Sequence, residues 1–224
     1  MASCGTLDPD RQAQYERAAS LWAETYGGGD AGRRRWWDDG EAERFLRELA
    51  AAVRRVAPDY GLPPSPTDLM IVGHAAYSSG WGRSVMTQLT HNAWGIKCGP
   101  SWTGPVLETA STEYDASTGG LRPDRARWRV FGSWDEAIRL YLDKVMHEDR
   151  YQSAAAALRT GSLDYMRELG RDGWYTGPPA KADAIWRGTM KRAAPIIGAT
   201  PLRSRAAAEA AIGAILIAVL EAIK

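Results

Sequence analysis

The sequence predicts a mainly helical domain of α+β type, a helical bundle carrying a small two- or three-stranded β lobe. Three observations predict it. Apolar residues recur at three- and four-residue spacing through most segments, the period of a helix with one buried face. One window, 102–131, breaks that pattern with a Val-, Thr- and Tyr-rich run followed by alternation. The 224 residues, 45% hydrophobic and 25% charged, suffice for one buried core with extensions.

The elements follow in order. Asp8 can cap a helix with Pro9 at its first position, and Tyr15, Ala19, Trp22 and Tyr26 give it an apolar stripe until Gly27-Gly28-Gly29 stops it. Arg33 to Asp39 reads as a linker or short turn. Phe45, Leu46, Leu49, Val53 and Val56 share one face of a helix over 41–58, and Pro63-Pro64 ends any continuation. Ser65, Pro66 and Asp68 resemble a cap, a first-turn proline and an acidic third position, opening an apolar helix through Ile71, Val72 and Ala76 with Ser78 at its C-terminal end. Val106 to Tyr114 and Arg127 to Phe131 predict a hairpin around Ser117-Thr118-Gly119-Gly120. Ser133-Trp134-Asp135-Glu136 is a capping box, and Ala137, Ile138, Tyr141, Leu142 and Val145 form the buried stripe behind it. Further helices are expected at 153–160, 162–171 and 180–194. The organisation read from this is an N-terminal helical extension and linker at 1–40, a main domain at 41–199 and an apolar C-terminal helix at 200–224.

Composition excludes several functions. With 28 Lys and Arg against 27 Asp and Glu, the net charge of +1 supplies no field for nucleic acid, and Asp38-Asp39 oppose the Arg33-Arg34-Arg35-Trp36-Trp37 cluster. Nucleic acid is therefore not an expected partner. Cys4 and Cys98 cannot form a disulfide framework and are read as reduced or incidental; no Cys and His spacing suits zinc, and no metal or cofactor is expected. Residues 1–10 hold no apolar core for a secretory signal, so export is open and the localisation is left unknown, at the cell wall or within a virion or injection particle. The uncharged run 210–220 is short of the roughly 20 residues that cross a bilayer, and it lacks a basic polar face. Membrane contact is not expected; Ala206 to Lys224 is read as a docking or homo-oligomerisation helix, or as the contact with another protein. Ten Trp and nine Tyr against two Phe suit stacking on sugar rings as well as core packing.

Several motifs then stand in order. Tyr60-Gly61-Leu62-Pro63 ends one helix; Ala75-Ala76-Tyr77-Ser78-Ser79-Gly80-Trp81-Gly82 ends the next; Asn92-Ala93-Trp94-Gly95-Ile96-Lys97 follows; Thr112-Glu113-Tyr114 and Arg129-Val130-Phe131 fall in the hairpin; Gly173-Trp174-Tyr175-Thr176-Gly177-Pro178 comes last. Together, over about 41–199, they resemble the bacterial peptidoglycan N-acetylglucosaminidases of flagellar and autolysin type. The resemblance implies a lysozyme-like fold with the β lobe beside a glycan groove. It also implies peptidoglycan glycan strands as the partner and endo-β-N-acetylglucosaminidase chemistry.

Cleaving a glycosidic bond needs a proton for the departing oxygen and stabilisation of an oxocarbenium-like sugar. In the family that proton comes from a glutamate at the position of Ser78, which has no comparable acidity. Activity as an enzyme is therefore left open. The implied catalytic positions are Ser78, Glu113 on the facing wall, and Trp174 or Tyr175 at the family's active-site tyrosine. The implied sugar contacts are Trp81, Asn92, Trp94, Trp102 and Tyr114, with Trp81 and Trp94 also read as structural supports. His74 is read as an interior or rim histidine, and His91 as a residue that could border the groove. Three explanations of Ser78 stand: an engineered inactivation, a pseudoenzyme that keeps the groove for binding, or a rearranged site using Glu113, Glu108 or Asp115. The function expected is a glucosaminidase-like, glycan-binding protein with lost or impaired hydrolysis. The alternatives are a phage-tail or injection-machine component with a vestigial groove, and an active wall hydrolase.

Overall fold

A computed structural model describes residues 39–115, 117–175 and 179–199, with residues 9–10, 12–14 and 16–17 of the N-terminal segment in helical conformation. Of the N-terminal helix and linker expected at 1–40, Asp39 and Gly40 instead open the first long helix; the rest beyond those helical residues, and the C-terminal helix expected at 206–224, lie outside the described residues.

The first long helix, α1 (Asp39–Val56), buries Leu46, Leu49, Val53 and Val56 and runs into a 3-10 turn at Ala57–Tyr60, where Gly61 takes a left-handed φ of 67° to close the end. The next, α2 (Pro64–Ser79), is buried without a break from Thr67 to Ala76. A helix apolar on all sides belongs at the centre of a bundle. It packs against α1 on one side and against α7 (Pro179–Ile197) on another. Contact with α7 is close because position 73 is glycine: a Cβ there would stand 2.6 Å from Met190 Cγ. Ser65 is extended, at φ −126° and ψ 136°, and its peptide bond to Pro66 is cis, so regular helix starts at Pro66. The expected acidic third position, Asp68, is buried and accepts from Arg54 Nε at 2.6 Å.

A six-residue helix absent from the sequence reading, α3 (Val85–Thr90), follows. The hairpin pairs β1 (Val106–Asp115) with β2 (Gly120–Arg129), in antiparallel register from Val106 opposite Arg129 to Asp115 opposite Gly120. The second strand therefore begins seven residues before the expected Arg127 and ends before Phe131. An isolated bridge of Lys97 to Trp128, with Arg129 N donating to Ile96 O at 3.1 Å, lays the 96–98 segment along β2 as a third, short edge.

Beyond the lobe, α4 (Trp134–His147) opens on the expected capping box: Ser133 Oγ accepts from Glu136 N at 3.2 Å, while Glu136 Oε2 accepts from Gly132 N at 2.7 Å. Ile138, Tyr141, Leu142 and Val145 are its buried stripe. Two short helices, α5 (Gln152–Thr160) and α6 (Tyr165–Arg171), lead to α7. Cys98 is disulfide-bonded, which corrects its reading as a reduced thiol.

Candidate functional site

The turn after α2 is set by its own side chains. Ser79 Oγ donates back to Ala75 O at 2.7 Å and accepts from Gly82 N at 2.8 Å, so one hydroxyl fastens both ends of the turn. Gly80 and Gly82 take φ values of 61° and 80°, in the left-handed region that glycine enters without strain. Gly82 is constrained a second time, since a Cβ there would meet the Phe45 ring at 2.6 Å. Trp81 sits at φ 66° with its ring under the guanidinium of Arg192, 4.4 Å away. That contact fixes the turn, and it leaves Ser78 exposed at the penultimate position of α2.

Ser78 opens on a groove of about 430 Å³ between the helical bundle and the β lobe. Its floor is aromatic. Trp94, 2% exposed, stacks on Tyr141 with centroids 4.7 Å apart, and its indole N–H points to Ile71 O at 3.4 Å. Trp174 meets Tyr141 edge-on at 5.1 Å and His74 at 5.6 Å, and donates to Trp94 O at 3.4 Å. Tyr175 is anchored by its hydroxyl to Met166 O at 2.8 Å, and burial pushes its pKa up to about 12. Tyr77 is half-buried beside Ser78, and burial raises its pKa as well.

Beneath the floor, His74 shares a hydrogen bond of 2.8 Å with Tyr141, whose hydroxyl is bonded in turn to that of Tyr165. Burial lowers the His74 pKa to about 3, so the ring is neutral across the physiological range. It therefore carries no acidic imidazolium proton to offer a glycosidic oxygen.

The lobe side is charged. Glu113 from β1 accepts from Lys97 Nζ at 2.5 Å, and that ammonium lies 5.7 Å from the Trp128 ring. Among the described residues Glu113 is the one carboxylate lining the groove; Lys97 stands beside it on the lobe side, while Lys144 of α4 and Arg150 of the 3-10 turn Asp149–Tyr151 line it from the helical side. No group of three or more His, Cys, Asp or Glu among them could hold a metal ion.

The groove thus brings together Ser78, Trp94, Glu113, Trp174 and Tyr175 from the expected set. Other members are placed elsewhere. Asn92 is fully buried: its Nδ2 donates to Ile96 O and Arg129 O, and its Oδ1 accepts from Ile96 N at 2.8 Å. Nothing of it remains for a sugar, and its place is that of a clasp between the 92–98 loop and the lobe. Trp102 lies under Arg129 at 4.9 Å and against Phe131, with its N–H on Pro105 O. Neither it, Trp81 nor Tyr114 is among the groove lining. His91 borders a different cavity of about 350 Å³, beside Phe45 and Trp134, with Nδ1 on Phe131 O at 3.0 Å. Of the alternative acids, Glu108 pairs with Arg125 and Asp115 is held by Ser117 in the hairpin turn. The sequence reading missed Trp128, Lys144 and Arg150 as lining residues. Trp128 falls within the alternating run from Arg127, but alternation does not say which neighbour a strand face meets, and no periodic signal marks Arg150.

Comparisons with known proteins show the family and the fold. Residues 50–199 match the Glucosaminidase family, described as mannosyl-glycoprotein endo-beta-N-acetylglucosaminidase. The chain is 31% identical over 122 residues to the peptidoglycan hydrolase FlgJ of Salmonella typhimurium, covering 53% of this chain and 37% of that protein. It is 28% identical over 141 residues to the FlgJ of Pseudomonas aeruginosa, covering 61% and 34%. The chain thus spans little more than a third of the length of these curated relatives. Among solved structures, a peptidoglycan hydrolase mutant from Sphingomonas sp. A1 superposes with a TM-score of 0.55 at 25% identity, over 67% of this chain and 97% of that one. The catalytic domain of the autolysin Auto from Listeria monocytogenes shares the fold, with a TM-score of 0.56 at 18% identity over 83% and 96%.

Proposed function

The chain belongs to the Glucosaminidase family, and from that premise we propose that it holds a peptidoglycan glycan strand in this groove, with hydrolysis of the β-1,4 glycosidic bond lost or impaired. One observation carries the reading. The groove's lining carboxylate, Glu113, is ion-paired with Lys97, while the exposed end of α2 presents the hydroxyl of Ser78. A carboxylate in the groove can face a cationic sugar, but this one stands on β1 of the lobe and not at the end of α2, where the family's acid is placed. A serine hydroxyl cannot supply that acid's proton, and a positioned general acid is worth about 100 to 10,000-fold in rate. Binding needs neither group. The partly exposed rings of Trp174 and Tyr175, backed by the buried Trp94, offer apolar aromatic surface suited to sugar rings.

A second reading is an active wall hydrolase, favoured by the retention of Glu113 within the groove. Incubating the protein with purified peptidoglycan separates the readings. Cosedimentation without release of reducing ends is the expected result. Release of reducing ends supports the active hydrolase, and absence of both overturns glycan binding in favour of an assembly component. Ser78→Glu is then expected to raise hydrolysis by about 100-fold or more, the scale of a restored general acid. Continued inactivity of a folded, wall-binding variant would place the loss beyond that one position.

A further inference from the structure

We infer that Arg150 forms a carboxylate-binding subsite, so that the groove prefers a glycan bearing an acidic substituent over a neutral one; this rests on the glycan-binding reading above. Three cations line the groove, and two are matched: Lys97 pairs with Glu113 and Lys144 with Glu148, each at 2.5 Å. Arg150 is held differently. Its Nε donates to Asp172 O at 3.2 Å and its Nη2 to Gly173 O at 2.9 Å, both neutral carbonyls, while its guanidinium lies 4.7 Å from the Tyr151 ring. The carbonyls and the ring orient the fork without neutralising its charge. Its remaining N–H groups are available to a planar anion, which a guanidinium grips in two parallel bonds. The neighbouring turn is shaped to allow this approach: Gly173 has a φ of 81°, and a Cβ there would stand 3.0 Å from Arg150 Nη2.

The neutral His74 adds no charge, so the groove's lining is cationic in a chain whose overall net charge is only +1. A strand of N-acetylhexosamines alone gives such a lining nothing to neutralise. Peptidoglycan offers carboxylates from two sources, the free lactyl group of a muramic acid stripped of its peptide and the acidic groups of an attached stem peptide. The chemistry is the same for both.

The test compares three ligands by titration calorimetry at low and raised salt: a neutral chitin tetrasaccharide, a peptide-free peptidoglycan strand with free lactyl groups, and a disaccharide carrying its stem peptide. At low salt the wild-type protein is expected to bind at least one acidic ligand roughly tenfold tighter than the tetrasaccharide, and the advantage should shrink as salt rises. Which acidic ligand gains identifies the source. Arg150→Gln should weaken that ligand about tenfold more than it weakens the tetrasaccharide, and Arg150→Lys, which keeps the charge without the fork, should fall between. Equal affinity of the wild type for all three ligands overturns the inference and leaves glycan binding standing. A uniform loss in Arg150→Gln, or an unchanged melting temperature with no loss of affinity, also overturns it. Failure of the wild type to bind any of the three sinks this inference and the glycan-binding reading together.

Discussion

The two walls of the groove are built on different physics. On the helical side, Trp94, Trp174, Tyr141 and His74 are locked ring against ring, and the indole N–H groups of both tryptophans go to backbone carbonyls. On the lobe side stand a two-stranded hairpin, one ion pair between Lys97 and Glu113, and the half-buried ring of Trp128. The first wall owes its shape to burial; the second owes its character to charge in contact with water. Shape is therefore costly to change on one side and cheap on the other, and chemical identity can drift at the rim while the fold beneath it persists. Ser78 sits where the two meet, on the last turn of a buried helix but exposed. Its side chain contributes little to the core, so the residue at that position can change while the architecture stands.

The largest break in the comparison comes from the helical wall. Trp94→Ala removes a 2% exposed ring stacked on Tyr141 and leaves its share of the core empty. Losses of about 3–5 kcal/mol are usual for such truncations. Chemical denaturation should show that loss, with binding of glycan disappearing alongside it. A cost under about 1 kcal/mol would mean that the helical wall is no more integral than an exposed surface.

This division also explains what was legible in the sequence. Burial leaves a periodic trace: the stripes of α1 and α4, the unbroken apolar run of α2 and the Ser133 to Glu136 capping box could all be read from residue spacing. The Ser79 to Gly82 turn was legible because two left-handed glycines and a hydroxyl staple constrain the residues allowed. The rim left no such trace. Arg150, Lys97 and Trp128 come together from a 3-10 turn, a loop and a strand, and nothing in local periodicity joins them. The family resemblance implies sugar contacts at Asn92 and Trp102. Here tertiary structure spends the amide on backbone groups of the lobe and the indole on Pro105 O and the face of Arg129. α3 was missed because six residues are too few to display a period.

A smaller effect, confined to acid, should come from His74. Its folded pKa of about 3 lies below the 6.5 of an exposed imidazole, so the unfolded chain takes up a proton first as the pH falls. The stability held at neutral pH is accordingly lost below about 6.5 and continues to fall towards about 3. By pH 5 this one group accounts for a loss of roughly 2 kcal/mol. His74→Gln can keep a polar partner for Tyr141 without an ionisable ring. Urea denaturation between pH 7 and 5 should therefore show a shallower decline in the variant than in the wild type. Parallel declines would mean that the imidazole is protonated within the folded wall, contrary to its burial.

The smallest effect belongs to the lobe. Lys97 is 46% exposed and Glu113 19%, so their ion pair is screened by solvent although its atoms are only 2.5 Å apart. Exposed pairs contribute about 0–1 kcal/mol, and Lys97→Met keeps most of the apolar stem lying against Trp128. The melting temperature should scarcely move. A double-mutant cycle with Glu113→Gln isolates the pair from the packing of either side chain, and its coupling energy should also stay below about 1 kcal/mol. A coupling of several kcal/mol would mean that the charged wall is as integral to the fold as the aromatic one. If the coupling is small, the charges around this groove can change without endangering the helices that shape it, and the exposed end of α2 is one more position at which the fold can bear a change.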